Sequence, residues 1–146
     1  MSVSHIGLCV SDLERALRFY VDGLGFERLH AVQVGDDFAA TLEAGEGEPV
    51  SLTSQFISRD GLTIELLGWS SPSVVGTPSA TRRQLGMTHL SLNVDDVDEV
   101  AERLVACGGT VLESTRTKLD MGGAALDFVF VADPDGTRVE LMRLGG

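Results

Sequence analysis

The strongest constraint on the fold of this chain is an internal repeat. The segment HIGLCVSDLE at 5–14 recurs 84 residues later as HLSLNVDDVD at 89–98. In both copies apolar residues alternate with small or polar ones, as in a half-buried strand, and an aspartate suited to capping a helix follows. Apolar residues at helical spacing and then glycines complete each copy. The repeat predicts two related halves that pair, because neither has enough core to be stable alone.

Each half is predicted to contain five elements in the order β-α-β-β-β. The strand-like stretches after the first and the second helix lie at 26–34, 37–43 and 62–67, and at 110–114, 126–131 and 137–142. The sequence Asp133-Pro134-Asp135-Gly136 is a strong turn signal between the last two strands. We therefore predict the α+β class and a single domain at 1–146. Its half-modules, 1–69 and 87–146, are joined by a loop at 70–86 that is rich in Ser, Pro, Thr and Gly.

Composition argues against two classes of partner. The chain has 146 residues, with 11 Lys and Arg against 22 Asp and Glu, and a net charge of −11. Nucleic acids and anionic membrane surfaces are bound through Lys and Arg, so neither is an expected partner. No apolar run approaches the roughly 20 residues that span a bilayer, and the first residues do not resemble a signal peptide. The two cysteines form no disulfide framework, so we expect a cytoplasmic protein with reduced thiols.

Four residues occupy matching places in the two halves. His5 begins the first strand and Glu65 lies in the middle of the last strand of the first half, and His89 and Glu140 hold the same positions in the second half. Because the apolar neighbours of each residue face the core, strand alternation places all four side chains on the opposite side of their sheets. Two imidazole nitrogens and two carboxylate oxygens suit Zn, Ni, Co, Mn or Fe(II). The sequence therefore predicts a divalent-metal site.

Four segments carry a likeness to a known family: HIGLCVSDLERALRFYVDGLGF, DGLTIELL, THLSLNVDDVDEVAERLVACGG and VFVADPDGTRVELM. On these segments the chain resembles the vicinal oxygen chelate superfamily, and the resemblance extends over essentially the whole chain. That superfamily includes glyoxalase I, methylmalonyl-CoA epimerase, extradiol dioxygenases, and fosfomycin and bleomycin resistance proteins. The resemblance implies paired β-α-β-β-β modules in a curled mixed sheet around a metal. The family's ligand positions fall on His5, Glu65, His89 and Glu140.

The resemblance further implies a metal-dependent isomerase or lyase of the glyoxalase or epimerase type. In this superfamily the metal chelates two neighbouring substrate oxygens and stabilises the enediolate or enolate formed when a proton next to a carbonyl is removed. A metal-bound glutamate acts as the base, a role that falls here to Glu140 or Glu65. Four protein ligands favour this branch. The implied small-molecule substrate is an α-oxo thiohemiacetal or an acyl-CoA thioester.

Several further residues are candidates for binding the substrate. Glyoxalase I enzymes of this length carry an Arg four residues after the first His, and Cys9 stands there instead, which argues against glutathione. Cys9 is predicted on the same side of its strand as His5 and could therefore contact the substrate. Phe56 and Trp69 are candidates for lining an apolar pocket. An anionic substrate needs basic residues, and the candidates, on predicted loops, are Arg82, Arg83, Arg116 and Lys118.

Two other functions stay open. An Fe(II) or Mn(II) extradiol dioxygenase relies on further His and Tyr residues near the metal, and this chain offers only His30, predicted at a strand edge, and Tyr20, predicted on a helix. A drug- or metabolite-binding resistance protein without catalysis does not need the metal ligands. The modules of this superfamily pair within one chain or between two, and we expect a homodimer.

Overall fold

The computed structural model describes residues 1–37, 49–120, 122 and 125–145. The chain divides into two compact units, the first made of residues 1–21 and 25–76 and the second of residues 22–24 and 77–146. Within the described residues, no helix is both long and apolar enough to cross a membrane.

The first unit contains one four-stranded mixed sheet. Its elements are β1 (Ile6–Val10), α1 (Leu13–Leu17), β2 (Glu27–Gly35), β3 (Ser51–Arg59) and β4 (Leu62–Ser71). A π-helical segment (Arg18–Gly23) follows α1 along the chain, and its last two residues are assigned to the second unit. The strand order is β1-β4-β3-β2. β1 runs parallel to β4, and the other neighbours are antiparallel. The predicted β-α-β-β-β order is confirmed in this unit.

The helical part of the first unit differs from the expected single α-helix. The Asp12 carboxylate caps α1 by accepting a hydrogen bond of 2.9 Å from the Arg15 amide. After Leu17 the chain widens into the π-helical segment, within which Phe19 and Tyr20 are both buried although they are adjacent in sequence. The wider turn lets two consecutive aromatic side chains reach the core.

One strand of the first unit was not predicted. β3 places Ser54 and Gln55 at buried positions, and polar residues there disguise the alternation on which strand prediction depends. A strand was also predicted at 37–43, and residues 38–43 of it lie outside the described residues. Its first residue, Asp37, is in a helical turn rather than a strand. The third strand of the sheet is therefore β3.

The second unit repeats this plan with one additional strand. Its elements are β5 (Leu90–Asn93), α2 (Val97–Ala106), β6 (Thr110–Val111), a 3₁₀ turn (Glu113–Thr115), β7 (Thr117–Asp120), β8 (Ala125–Ala132) and β9 (Arg138–Gly145). The strand order is β5-β9-β8-β6, and β7 also pairs with β8. β5 is parallel to β9, as β1 is to β4. The α+β class with two β-α-β-β-β modules is thus confirmed, and β7 is an unpredicted addition.

The second helix has clear boundaries. The Asp96 carboxylate accepts hydrogen bonds from the Asp98 and Glu99 amides at 2.9 and 3.0 Å. At the other end Gly108 has φ +94°, and the Gly109 amide donates to the Leu104 carbonyl at 2.8 Å. This is a Schellman ending, which needs a residue in the left-handed region.

Candidate metal centre

The first unit brings His5 and Glu65 together. Because β1 and β4 are parallel neighbours with Gly7 opposite Glu65, the residue just before β1 lies on the same side of the sheet as the carboxylate. The His5 Nε2 atom is 3.1 Å from Glu65 Oε2. Ile64 and Leu66, which flank the glutamate, are buried on the other side, as the strand alternation predicts.

The second unit repeats the pair with His89 and Glu140. Ser91 of β5 lies opposite Glu140 of β9, and His89 immediately precedes β5. The His89 Nε2 atom is 3.7 Å from Glu140 Oε2. Val139 and Leu141, on either side of the glutamate, are buried. Each unit therefore supplies one imidazole and one carboxylate from the same two places in its sheet.

Hydroxyl groups orient both imidazoles in the same way. Ser4 Oγ lies 3.1 Å from His5 Nδ1, and Thr88 Oγ1 lies 2.8 Å from His89 Nδ1. In both cases the hydroxyl belongs to the preceding residue. Nδ1 is thereby engaged and Nε2 faces the carboxylate, which is the arrangement in which Nε2 can serve as a metal ligand.

Each carboxylate also accepts a hydrogen bond from a serine, but the two serines come from different strands. Ser54 of β3 donates to Glu65 Oε1. Ser91 of β5 donates to Glu140 Oε2 at 2.7 Å. In the repeat Ser91 corresponds to Gly7, which has no hydroxyl. The two units thus support equivalent glutamates by different routes.

A phenylalanine ring stands beside each pair. Phe56 of β3 lies opposite Glu65, and its ring meets the His5 ring edge-on, with centroids 5.5 Å apart. Phe130 of β8 lies opposite Glu140 and meets the His89 ring in the same way at 5.1 Å. Phe130 was not predicted as a site residue. In sequence Phe56 lies 9 residues before Glu65 and Phe130 lies 10 before Glu140, so the two rings correspond in sheet register and not by a constant spacing.

The exposure of the four side chains suits ligands that an ion can reach. The relative side-chain exposure is 36% for His5, 19% for Glu65, 27% for His89 and 15% for Glu140. Imidazole nitrogen and carboxylate oxygen are donors that first-row divalent metals accept. Within the part of the chain that the structure describes, no group of three or more His, Cys, Asp and Glu residues is clustered closely enough to hold a metal. The two pairs are what the structure shows, and the four-residue ligand set stays a prediction.

The remaining predicted substrate-binding residues lie in several places. Cys9 is exposed in β1 and is not joined to Cys107 by a disulfide. Trp69, expected just after the Glu65 strand, lies within β4 and is half-buried opposite Leu52. Strand alternation gives Trp69 the same side of β4 as Glu65.

Arg116 and Lys118 are already engaged with carboxylates of the protein. Arg116 pairs with Asp98 at 2.7 Å and also with Asp127, and Lys118 lies 3.4 Å from Asp98. Burial raises the pKa of Asp98, but the hydrogen bond from Lys118 and the charges of Arg116 and Lys118 outweigh it, so the pKa lies below its ordinary value of 3.8. The hydrogen bond to Asp127 is the main cause that raises the pKa of Arg116. The prediction of a loop position is wrong for Lys118, which lies in β7.

Two polar groups lie on the phenylalanine rings. The His30 ring of β2 stacks on Phe56, with centroids 4.7 Å apart and an interplanar angle of 21°. The Arg82 guanidinium carbon lies 5.3 Å from the centroid of the Phe130 ring. His30 is at a strand edge, as predicted, but its contact with Phe56 was not predicted.

Comparison with known proteins gives a match over nearly the whole sequence. The sequence model of the Glyoxalase/Bleomycin resistance protein/Dioxygenase superfamily matches residues 2–141. A probable lactoylglutathione lyase from Vibrio parahaemolyticus is 26% identical, and the match covers 97% of this chain and 89% of that protein. Lactoylglutathione lyase from Arabidopsis thaliana is 30% identical, over 97% of this chain but 44% of the plant protein. A 2-epi-5-epi-valiolone epimerase from Actinomyces sp is 28% identical, over 99% of this chain and 80% of that protein.

Solved structures share the fold. A glyoxalase family protein from Bacillus cereus has a TM-score of 0.78 at 17% identity and covers 100% of this chain and 95% of its own. A fosfomycin resistance protein from Listeria monocytogenes, crystallised with Mn(II) and sulfate, has a TM-score of 0.57 at 21% identity and covers 97% of this chain and 91% of its own. At such identities the likeness concerns the fold alone.

Proposed function

Because the chain belongs to the glyoxalase/bleomycin resistance protein/dioxygenase superfamily, we propose that it is a divalent-metal-dependent isomerase or lyase. It would remove a proton from a carbon next to a carbonyl. The observation that carries this proposal is the duplicated His–Glu pair, with Nε2 of each histidine turned toward its carboxylate. Relatives named lactoylglutathione lyase and epimerase support this branch of the superfamily.

The proposed ligands are His5, Glu65, His89 and Glu140, and the proposed ions are Zn, Ni, Co, Mn or Fe(II). The donor set fits such an ion, and the Mn(II) of the Listeria protein with the same fold supports the proposal. A bound divalent cation would supply Lewis acidity, which makes a C–H bond next to a carbonyl easier to ionise. The hydroxyls of Ser4 and Thr88 would hold the imidazoles in the ligating tautomer.

Glu140 is the better candidate for the base. Both oxygens of Glu65 are engaged, Oε1 with Ser54 and Oε2 with His5. In Glu140 a single oxygen, Oε2, meets both Ser91 and His89. Within the described residues Oε1 of Glu140 makes no hydrogen bond, so it is available to take a proton from a substrate carbon and return it. Glu65 is the second candidate.

The proposed substrates are an α-oxo thiohemiacetal or an acyl-CoA thioester. Cys9, Phe56 and Trp69 share the ligand-bearing side of the first sheet and would contact the substrate. Arg116 and Lys118 are weaker candidates than the sequence suggests, because their charges are paired with Asp98 and Asp127.

Metal content tests the ligand assignment directly. We expect the purified protein, after incubation with Mn(II) and removal of unbound ion, to hold about one equivalent per chain. Replacing any one of the four proposed ligands with Ala should remove most of the bound Mn(II), as measured by inductively coupled plasma mass spectrometry. Glu99→Ala is the matched control, because Glu99 is a largely exposed glutamate on α2. Single ligand variants with full metal content would show that the assignment is wrong.

Proton exchange tests the reaction. In deuterated water with metal added, nuclear magnetic resonance should show exchange of the proton next to the carbonyl in the methylglyoxal–glutathione thiohemiacetal or in a 2-methylacyl-CoA. Glu140→Gln retains an oxygen donor but removes the base, so exchange should fall by about 100-fold or more. The exchange rate should fall less in Glu65→Gln than in Glu140→Gln. Oxygen uptake with catechols, without exchange, would instead identify a dioxygenase, and tight binding without turnover would identify a binding protein.

We also propose a homodimer. β2 is the last strand in the described part of the first sheet, and it exposes two apolar side chains, Leu29 at 37% and Val32 at 45%. An exposed apolar strand of this kind is usually covered. Sedimentation velocity should give the mass of two chains, and Val32→Lys should shift it toward one. A monomeric wild type at micromolar concentration would contradict the dimer.

A further inference from the structure

The second unit holds a cation beside its proposed ligand pair. The Phe130 ring has the Arg82 guanidinium 5.3 Å from its centroid and the His89 ring edge-on at 5.1 Å. Phe130 lies opposite Glu140 in the sheet. Arg82 and the His89–Glu140 pair are therefore separated by a single aromatic ring.

The segment that carries Arg82 is folded onto the second sheet. Arg138 of β9, two residues before Glu140, donates a hydrogen bond to the Ala80 carbonyl. The Ala80 amide donates to the Gln84 side chain at 3.2 Å, and the Gln84 amide donates to the Thr81 carbonyl at 3.1 Å. The turn closed by these hydrogen bonds, tied to β9 through Arg138, fixes the point from which the Arg82 side chain extends.

The positive charge of Arg82 is not neutralised by a carboxylate of the described residues. Arg116 and Lys118 of the same unit each lie against Asp98 and Asp127. Arg82 is exposed, and in the described ranges its one recorded contact is the Phe130 ring. A guanidinium whose contact is an aromatic ring keeps its N–H groups available to donate to another acceptor.

We propose that Arg82 is the residue that recognises an anionic group of the substrate, specifically a carboxylate. This rests on the proposed function, because it assumes that His89 and Glu140 face the reacting end of that substrate. A planar carboxylate matches the two parallel donors of a guanidinium. In the first unit the group on the Phe56 ring is the imidazole of His30, which lacks the paired N–H donors of a guanidinium. The substrate's carboxylate is thus assigned to the side of the second unit.

Two matched probes test this assignment. 2-Oxoglutarate and 2-oxovalerate present the same pair of neighbouring oxygens, and they differ in that the first ends in a carboxylate and the second in a methyl group. Calorimetric titration of the Mn(II)-supplemented protein should give tighter binding of 2-oxoglutarate. Arg82→Gln should weaken the binding of 2-oxoglutarate by about tenfold or more and leave the binding of 2-oxovalerate unchanged. Arg82→Lys should recover part of the loss, because it restores the charge without the planar pair of donors.

Arg83→Gln is the control variant, since it removes the same charge from the neighbouring exposed position and has no ring contact. Its expected effect is less than twofold on both probes. Equal binding of both probes by the wild type, or equal losses in Arg82→Gln and Arg83→Gln, would overturn the proposal. Tighter binding of inorganic phosphate than of 2-oxoglutarate would overturn the assignment to a carboxylate. A wild type that binds no Mn(II) would refute the proposed function but not the role of Arg82. The same titrations without metal would then test Arg82, and equal binding of the two probes would overturn its role.

Discussion

At the scale of single residues, the two halves conserve a geometry while changing the groups that support it. Glu65 takes its serine hydrogen bond from β3, through Ser54, and Glu140 takes it from β5, through Ser91. The hydroxyl at position 91 stands where the first half has Gly7. Supporting hydrogen bonds of this kind fix the orientation of a metal-ligating carboxylate. The His–Glu pair is therefore the same in the two halves, although the residues that support the glutamate differ.

Removing the serine behind Glu140 should weaken metal binding without abolishing it. We expect Ser91→Ala to reduce Mn(II) affinity by about tenfold, because the carboxylate loses a donor that orients it. Competition with a fluorescent chelator measures the affinity. Ser114→Ala, at an exposed position in the 3₁₀ turn, is the control. Equal affinities in the wild type and Ser91→Ala would mean that the hydroxyl does not orient Glu140.

The cluster of Asp98, Arg116 and Lys118 gives the protein a pH-dependent contribution to stability. The pKa of Asp98 is lower in the folded protein than its ordinary value of 3.8, so the folded state holds this proton less tightly than the unfolded state. The contribution is thus complete above about pH 4 and is lost as the pH falls through the lowered pKa. Because Asp98 is largely exposed, we expect Asp98→Asn to cost about 0.5 kcal/mol at pH 7 and less at pH 3.

Urea unfolding at the two pH values measures this difference. Glu102→Gln removes another exposed carboxylate of α2 and is the matched control. Within the described residues Glu102 forms no ion pair. A loss in Asp98→Asn that is as large at pH 3 as at pH 7 would show that the cluster does not act through the charge of Asp98.

At the scale of secondary-structure elements, the first sheet contains a β-bulge held by one buried side chain. The pairing of β2 with β3 shifts between Arg28 and Ala31, where two residues of β2 face one of β3. The Gln55 side chain, 1% exposed, lies under this bulge. Its Nε2 atom is 3.0, 3.1 and 2.8 Å from the carbonyl oxygens of Leu29, His30 and Phe56. His30, whose ring stacks on Phe56, is one of the two bulge residues.

Replacing the buried glutamine should cost substantial stability. Gln55→Leu leaves buried carbonyls without their donor, and we expect the free energy of unfolding to fall by about 2 kcal/mol. Gln33→Leu makes the same chemical change at an exposed position of β2 and should alter it by less than about 0.5 kcal/mol. Urea unfolding compares the two. Similar losses in both variants would argue against a specific role for Gln55.

Four of the predicted strands have burial that follows a simple period. β1, β4, β5 and β9 alternate between the core and the side that carries the His–Glu pairs, and so their order and parity could be predicted from apolar spacing. β3 was missed because its buried positions include polar residues. β7, with the sequence Thr-Lys-Leu-Asp, shows too few apolar residues to signal a strand. Tertiary hydrogen bonding, rather than local preference, determines these two strands.

At the scale of the whole molecule, metal binding should be coupled to folding. A ligand that binds only the folded state raises the free energy of unfolding, by about 2.7 kcal/mol at a concentration 100 times its Kd. We expect Mn(II) to raise the Tm of the wild type and EDTA to lower it again, as measured by scanning calorimetry. The double variant Glu65→Ala/Glu140→Ala should show no shift. The same rise in that variant would place the responsible ion elsewhere.

The candidate site could be predicted in outline from the repeat. His5, Glu65, His89 and Glu140 stand at duplicated positions with the same strand parity, and in the structure each histidine lies beside the glutamate of its own unit. The groups on the phenylalanine rings could not be predicted. The position of Arg82 depends on hydrogen bonds across 58 residues of chain, from Arg138 to Ala80, which leave no local pattern in the sequence.

The parallel pairing of β1 with β4, and of β5 with β9, has a consequence for synthesis. The members of each His–Glu pair are neighbours in space but lie 60 and 51 residues apart in the chain. A ribosome must release the whole of β4 before His5 can meet its carboxylate, and the whole of β9 before His89 can. A chain that ends before Glu140 therefore contains only the His–Glu pair of the first unit. Both pairs can form only in a chain that extends through the middle of β9.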